Sequence, residues 1–434
     1  MFRLNASNSI DNNLTAWWFI FVILAISIFL IMHNILISLN MQQGNLADVD
    51  AIVTAVKGGS IKRQVGLLLF FFLSIVLLMS KSHKSLQING FIGGLIIFFL
   101  FWICLSIIWS DDMIITLRKV VVFGILCIGA IAIARSFTAT DINYLALFIT
   151  GSFLIVGFVT EIILGTFHPA AEGYRFSGTL HPNHQGDNCA VLFLSAIAFA
   201  LSANPGRKSL YYLIAVVAFM FMILTKSRTA FISSVVAFLT FWVLKSTRRS
   251  KFAWGLGIIW IFTFFLIIYG DSFFSFLQQY ILLGREREEG LMDLTGRIPL
   301  WEDCFPYIWK RPLLGYGFNA FWTPKNVIQF ASAHQWIIVE AHSAYIELAL
   351  GVGLIGLSAF LLIFISGIKR LMISYWTSFS TSVAFYCAIM VFSFTNGILE
   401  STIVNPEWPT LLYLVILADV GFVRVQGDGT ENSL

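Results

Sequence analysis

Four short segments of this chain concentrate residues able to hold an anion or move a proton. The first is Tyr174-Arg175-Phe176-Ser177-Gly178-Thr179-Leu180-His181-Pro182-Asn183-His184-Gln185-Gly186. Arg175 offers a planar guanidinium fork that matches phosphate oxygens. Asn183 and His184 can bind sugar hydroxyls or a diphosphate. The second is Thr225-Lys226-Ser227-Arg228-Thr229-Ala230, a turn so short between apolar runs that Lys226 and Arg228 must sit at membrane depth. Basic residues at such places also reach out to lipid headgroups, and spacing alone does not separate the two roles. The third is Thr295-Gly296-Arg297-Ile298-Pro299-Leu300-Trp301, followed by Pro312-Leu313-Leu314-Gly315-Tyr316-Gly317. Arg297 there stands at a helix N-terminus, whose unpaired N–H groups favour anions. The fourth is Ala341-His342-Ser343-Ala344-Tyr345-Ile346-Glu347. Neutral imidazole can take a proton from a sugar hydroxyl near neutral pH, which makes His342 a candidate base, with Tyr345 one turn further on. Glu347 is five residues on, about 140° around a helix, so a His342–Glu347 pair on one face is not expected.

Two other patterns carry little. His168, His181 and His184 lack a carboxylate or thiol partner and a recognised zinc spacing, so no metal is expected. Gly351-Val352-Gly353-Leu354-Ile355-Gly356 matches G-x-G-x-x-G, but it sits inside a hydrophobic run instead of following a strand. Its glycines read as positions where helices approach closely.

The elements that must position these residues are membrane helices. The chain has 434 residues, of which 58% are hydrophobic and 12% charged. A soluble domain carries about 25% charged residues, so this is a polytopic membrane protein. About 20 apolar residues cross a bilayer, and twelve stretches qualify: roughly 16–38, 64–80, 90–109, 114–134, 142–165, 186–203, 209–225, 229–245, 252–270, 342–367, 376–395 and 408–423. Basic residues occupy every second connection: Lys81 and Lys84, Arg135, Arg207 and Lys208, Lys245 to Lys251, Lys369 and Arg370, and Arg424. Cytoplasmic loops carry that excess, so both termini are expected to be cytoplasmic. The four segments then face the outer side. Arginines on that side need a reason, and an anion such as a lipid-linked diphosphate supplies one. The N-terminus lacks the pattern of a signal peptide. Four of the five cysteines lie in or at the edge of spans, so no disulfide framework is expected. No basic stripe or motif points to nucleic acid.

The fold class expected is therefore all-α, a single integral membrane domain over 1–434. Its largest outer loop covers 271–341, between spans nine and ten. Within that loop Trp301, Cys304, Phe305, Ile308 and Trp309 recur at helical spacing, which makes one apolar face. The spacing predicts an amphipathic helix in the outer interface, capped by Thr295 and stopped by Pro312. Packing of that helix on the rest of the loop is the other reading.

Taken together, the segments resemble the O-antigen ligase / O-antigen and exopolysaccharide polymerase superfamily. The resemblance rests on R-F-S-G-T-L-H-P-N at 175–183, S-R-T-A at 227–230, G-R-I-P-L-W at 296–301, P-L-L-G-Y-G at 312–317 and A-H-S-A-Y-I-E at 341–347. Their order around the longest outer loop also matches, and the motif region spans 175–370. The resemblance implies a metal-independent, inverting membrane glycosyltransferase of the GT-C type that needs no cofactor. Its donor would be a glycan on undecaprenyl diphosphate. Its acceptor would be another glycan, or lipid A-core or protein in a ligase, and polysaccharide assembly proteins would be partners. Carried over by residue, Arg175 and Arg228 would clamp the diphosphate, Arg297 would assist, and His342 would orient or deprotonate the acceptor. Asn183, His184, Lys226 and Tyr345 would contribute to substrate binding. The S-R-T turn and the G-R-x-x-L-W loop favour a polymerase over a ligase. A transporter or lipid flippase is the rival from another class. It calls for paired ionisable residues near span centres, which here are almost bare.

Overall fold

The computed structural model describes residues 61–244 and 297–425, apart from 81, 83, 172 and 335–337, together with 22–28, 31, 257 and 260. The expected spans 16–38 and 252–270 lie largely outside the described residues, and residues 271–296, with the expected cap Thr295, lie wholly outside them. The described helices are α1 (Ile61–Met79), α2 (Gly90–Leu105), α3 (Met113–Ser136), α4 (Ala139–Ile163), α5 (Pro182–Ser202), α6 (Pro205–Leu224), α7 (Arg228–Leu244), α8 (Arg297–Lys310), α9 (Pro324–His334), α10 (Ala344–Ser378), α11 (Thr381–Asn396) and α12 (Trp408–Phe422). A 3-10 turn covers Thr402–Val404.

Among them α1, α3, α4, α5, α6 and α10 are long and apolar enough to cross a membrane, and α2, α7, α11 and α12 are shorter apolar helices. Ten of the expected spans thus fall on helices. Local chemistry sets their ends. Asp112 caps α3 by accepting the Ile115 N–H at 2.9 Å, and Thr138 and Asp141 form a reciprocal capping box on α4. Pro182 opens α5 at a position that needs no N–H donor. The only described sheet is an antiparallel ribbon of β1 (Lys84–Leu86) and β2 (Val423–Val425) at the other end of the bundle.

α5, α11 and α12 are buried along most of their length. α1, α4 and α6 turn rows of large apolar side chains outward, among them Leu68, Phe72 and Val76 on α1 and Leu213, Val216 and Met220 on α6. Exposed apolar surface on that scale is what lipid tails cover.

α8 forms at the spacing read from the sequence and ends at Lys310, two residues before Pro312. Only part of its apolar face is buried. Leu300, Cys304 and Ile308 pack with Tyr316, Phe321, Trp322, Val327 and Phe330 into a second core. Phe305 and Trp309 stay exposed, the two side chains available to an interface.

The glycine run inside α10 does more than bring helices together. The helix is interrupted at Gly353, where φ is 69°. The 312–317 segment docks into the break. The Leu354 N–H donates to Pro312 O at 2.7 Å, the Tyr316 N–H to Leu350 O at 2.8 Å and the Gly317 N–H to Gly351 O at 2.9 Å. A Cβ at Gly353 would overlap the Leu313 carbonyl, and one at Gly315 would meet Leu350 O at 2.5 Å. At Gly351 and Gly353 the close approach is therefore of loop backbone to broken helix, while Gly356 lies against Trp102 of α2, where helices approach as its spacing suggests. It also ties the third segment to the start of α10, where the fourth lies. Gly353→Ala adds both an unfavourable φ and a clash. It is expected to destabilise the protein by about 1–3 kcal/mol and to lower its melting temperature in detergent, whereas wild-type melting would contradict this docking.

Candidate functional site

The polar side chains collect at the end of the bundle where α5, α7, α10 and α12 begin. Glu161, near the end of α4, shapes the first segment. Its buried carboxylate accepts the Tyr174 hydroxyl, the Ser177 N–H at 2.9 Å and the Gly178 N–H at 2.7 Å. Gly178 has φ 60° and rests on Gly157, leaving no room for a Cβ. The first and second segments are joined through backbone. The Phe176 N–H donates to Leu224 O at 2.9 Å, and Arg175 Nε donates to Thr225 O at 3.0 Å. Lys226 holds a left-handed φ of 52° in that turn, and Arg228 opens α7 two residues later.

Glu400 is the hub. Arg175 Nη2 donates to Asn183 Oδ1 at 2.7 Å, and Asn183 Nδ2 donates to Glu400 Oε1 at 2.9 Å. Arg297 Nη2 donates to the same Oε1 at 2.8 Å, while its Nη1 donates to Leu399 O. The other oxygen, Oε2, is 4.0 Å from His342 Nδ1. His342 precedes α10, with φ 51°, and its Nδ1 lies 3.2 Å from Glu340 Oε1. Asn405 in turn donates to Glu340 Oε2 at 2.8 Å. His181 lies within electrostatic reach of Arg175, His184, Glu400 and His342. The cluster therefore joins Arg175, Asn183, Arg297 and His342, with the Lys226–Arg228 turn bonded to Arg175.

Burial alone would raise the Glu400 carboxyl, whose side chain is 6% exposed. Arg297, His342 and His184 override that penalty and hold it below the ordinary carboxylate value.

His184 lies beside this chain of contacts, with Nδ1 2.9 Å from Glu407 Oε2. Asp187, one turn on, accepts Asn396 Nδ2 at 2.6 Å. Tyr345 is not brought to the cluster; its hydroxyl donates to Phe394 O at 2.6 Å within the core. Glu347 faces away from His342, accepting Trp322 Nε1 at 2.8 Å and the Ala341 N–H. His168, His181 and His184 do not form a ligand group. Among the described residues, His184, Asp187 and Glu407, and separately Glu340, His342 and Glu400, lie close enough together to share a cation. Their carboxylates already accept Asn396, Asn405, Asn183 and Arg297, and Glu407 lies against the His184 imidazole.

Residues 213–361 match the family model described as O-antigen ligase. Over that stretch the chain is similar to the O-antigen ligase family. The match spans about a third of the chain and includes Lys226, Arg228, Arg297, His342 and Tyr345; Arg175, Asn183, His184 and Glu400 lie outside it. No curated protein matches the chain.

Sequence reasoning missed Glu161, Glu340 and Glu400. A faint signal existed, since Glu340 lies two residues before His342, and Glu400 and Glu407 sit in a short turn between apolar runs. Removing one partner of a buried pair costs about 3–5 kcal/mol. Arg297→Met should therefore be strongly destabilising, and Arg297→Met with Glu400→Gln should recover much of the loss in thermal melts. The depressed Glu400 carboxyl also sets a sign. Its contribution is complete above the ordinary value of 4.5 and is lost as pH falls through the lowered one. Glu400→Gln should flatten that acid limb, and an unchanged limb would remove Glu400 as its source.

Proposed function

We propose that this protein moves a glycan from undecaprenyl diphosphate to a hydroxyl acceptor at the periplasmic face of the inner membrane. The observation that carries this reading is the Arg175–Asn183–Glu400–Arg297 chain with His342 beside Glu400. It sets guanidinium groups next to an imidazole at the end of an apolar bundle. His342 Nδ1 lies 3.2 Å from Glu340 Oε1, and the other ring nitrogen, Nε2, is the one assigned here as base. That nitrogen accepts the proton of the acceptor hydroxyl. The acceptor oxygen bonds to the anomeric carbon while the carbon–oxygen bond to the diphosphate breaks on the opposite face, so the configuration inverts. Arg175 and Arg228 stabilise the charge that grows on the departing diphosphate. Arg297 acts mainly as a tether through Glu400, and Asn183 relays its position to Arg175. The donor arrives activated, so neither nucleotide nor metal is required. The favoured acceptor is a second lipid-linked repeat unit, as in a polymerase; the ligase reading has lipid A-core or protein in its place.

Arg175→Ala and Arg228→Ala should each lower glycan transfer on the order of 10²–10³-fold, and His342→Ala about 10²–10⁴-fold, at unchanged protein level. Lysine at either arginine position should restore little, because the planar fork is lost. Full surface glycan in all three alanine variants would end the assignment. Chelator should leave the purified activity intact, and loss reversed by added magnesium would contradict the metal-independent step. A deletion strain separates the acceptors. Accumulated single repeat units on the carrier indicate a polymerase, long chains left on it indicate a ligase, and altered solute uptake with normal glycan indicates transport.

A further inference from the structure

The outward half of α8 is itself divided into an apolar and a polar edge, and the reaction proposed above uses neither. Measured around the helix axis from Cys304, Leu300 and Ile308 lie within about 40°, and these three form the buried stripe. Ile298, Phe305 and Trp309 lie about 100–140° away on one side. All three are exposed, Trp309 at 70%. Asp303 and Lys310 lie about 100–120° away on the other side and are exposed as well. Asp303 Oδ2 is tied there to His334 Nε2 of α9 at 2.8 Å. α9 thus lies along the polar edge and leaves the apolar edge uncovered by it. The rotation of α8 is fixed, because Trp301 Nε1 donates to Ala341 O at 2.9 Å.

The apolar edge continues beyond the helix. Leu313 and Leu314 follow Trp309 by four and five residues and are exposed. Trp109 Nε1 donates to Leu314 O at 2.8 Å, and Arg311 Nη1 donates to Asp111 Oδ1 at 2.7 Å. These bonds bring the end of α8 against the α2–α3 turn and the start of α3, where Ile108, Met113 and Ile114 are exposed. Leu117 and Val121 carry the exposed row on down α3, a helix long and apolar enough to cross a membrane. Lipid tails cover such a row. The edge of α8 therefore runs into a surface that lipid covers. A tryptophan with a lysine beside it suits the headgroup boundary. A platform for stacking sugars would set its rings among polar groups, whereas Phe305 and Trp309 share their edge with Ile298 and lead to Leu313 and Leu314.

We propose that α8 is seated in the bilayer surface at the end of the bundle that carries the polar cluster. Ile298, Phe305 and Trp309 enter the boundary between headgroups and acyl chains, and Asp303, Lys310 and α9 face water. The occupant of this edge is the phospholipid surface itself. The helix that opens with Arg297 then has two fixings, Glu400 at its N-terminal end and lipid along one side.

The test uses the full-length protein in nanodiscs of phosphatidylethanolamine and phosphatidylglycerol. It carries Trp309→p-benzoylphenylalanine or, for comparison, Ser332→p-benzoylphenylalanine on the exposed side of α9. After irradiation, peptide mass spectrometry should show phospholipid adducts at position 309 about tenfold above those at position 332. Phe305→p-benzoylphenylalanine should match position 309, and it decides the matter if the position 309 variant does not fold. Equal adducts at 309 and 332, or none at 309 and 305, would overturn the proposal. In native membranes position 309 should again take phospholipid. A cross-linked dimer there would assign the edge to a second copy of the chain, and a glycan adduct would assign it to the polymer; either result would overturn the proposal. The adducts are read without turnover, so loss of the transfer reading would leave this result standing.

Discussion

A carboxylate buried as deeply as Glu400 cannot remain charged without partners, and the arrangement around it follows from that demand. An unpaired buried charge costs several kcal/mol. Glu400 meets the cost with Asn183 from the start of α5, Arg297 from the start of α8, and the imidazole of His342 ahead of α10. Segments more than two hundred residues apart are thereby held at one point. Arg175 joins through Asn183, and the Lys226–Arg228 turn joins through Thr225. The carboxylate does not itself need to touch a substrate to matter, because it sets the spacing between guanidinium and imidazole.

A second constraint keeps the long connection between the membrane helices from drifting. Its 312–317 stretch pairs backbone to backbone with the break in α10 at Gly351–Gly353. Trp102 Nε1 and Trp109 Nε1 donate to Val352 O at 2.9 Å and Leu314 O at 2.8 Å on the two sides of that junction. α8 then rests its Leu300–Cys304–Ile308 stripe on the same region. The helix that delivers Arg297 and the turn that delivers His342 are thus parts of one packed unit. Burial in that unit pushes the Cys304 thiol up, so it stays protonated and serves as packing.

Much of this was legible beforehand, and the exceptions have physical causes. Hydropathy located ten of the described helices because apolar runs of that length have few other uses. The four segments were legible as polar interruptions in those runs. Their convergence was not, since nothing in a helical pattern says which helix ends meet. Glu400 was passed over because a lone acid between two spans looks like an ordinary loop residue until its partners are known. The glycine run of α10 was read by its spacing, which fits close helix contact; that a loop would occupy it depends on Gly353 taking a left-handed φ, which spacing does not reveal. Tyr345 was grouped with His342 by proximity along the chain, but the left-handed turn at His342 separates them, and the tyrosine hydroxyl bonds into the core.

The central claim is that the Glu400 carboxylate holds the guanidinium and imidazole groups in working register. The most direct measurement is the glycosyl-transfer rate of purified Glu400→Gln protein with a glycan on undecaprenyl diphosphate at saturating donor. The side chain keeps its shape but loses its charge, so the account predicts a correctly folded protein whose rate falls on the order of 10²-fold. A folded Glu400→Gln protein turning over at the wild-type rate would contradict it.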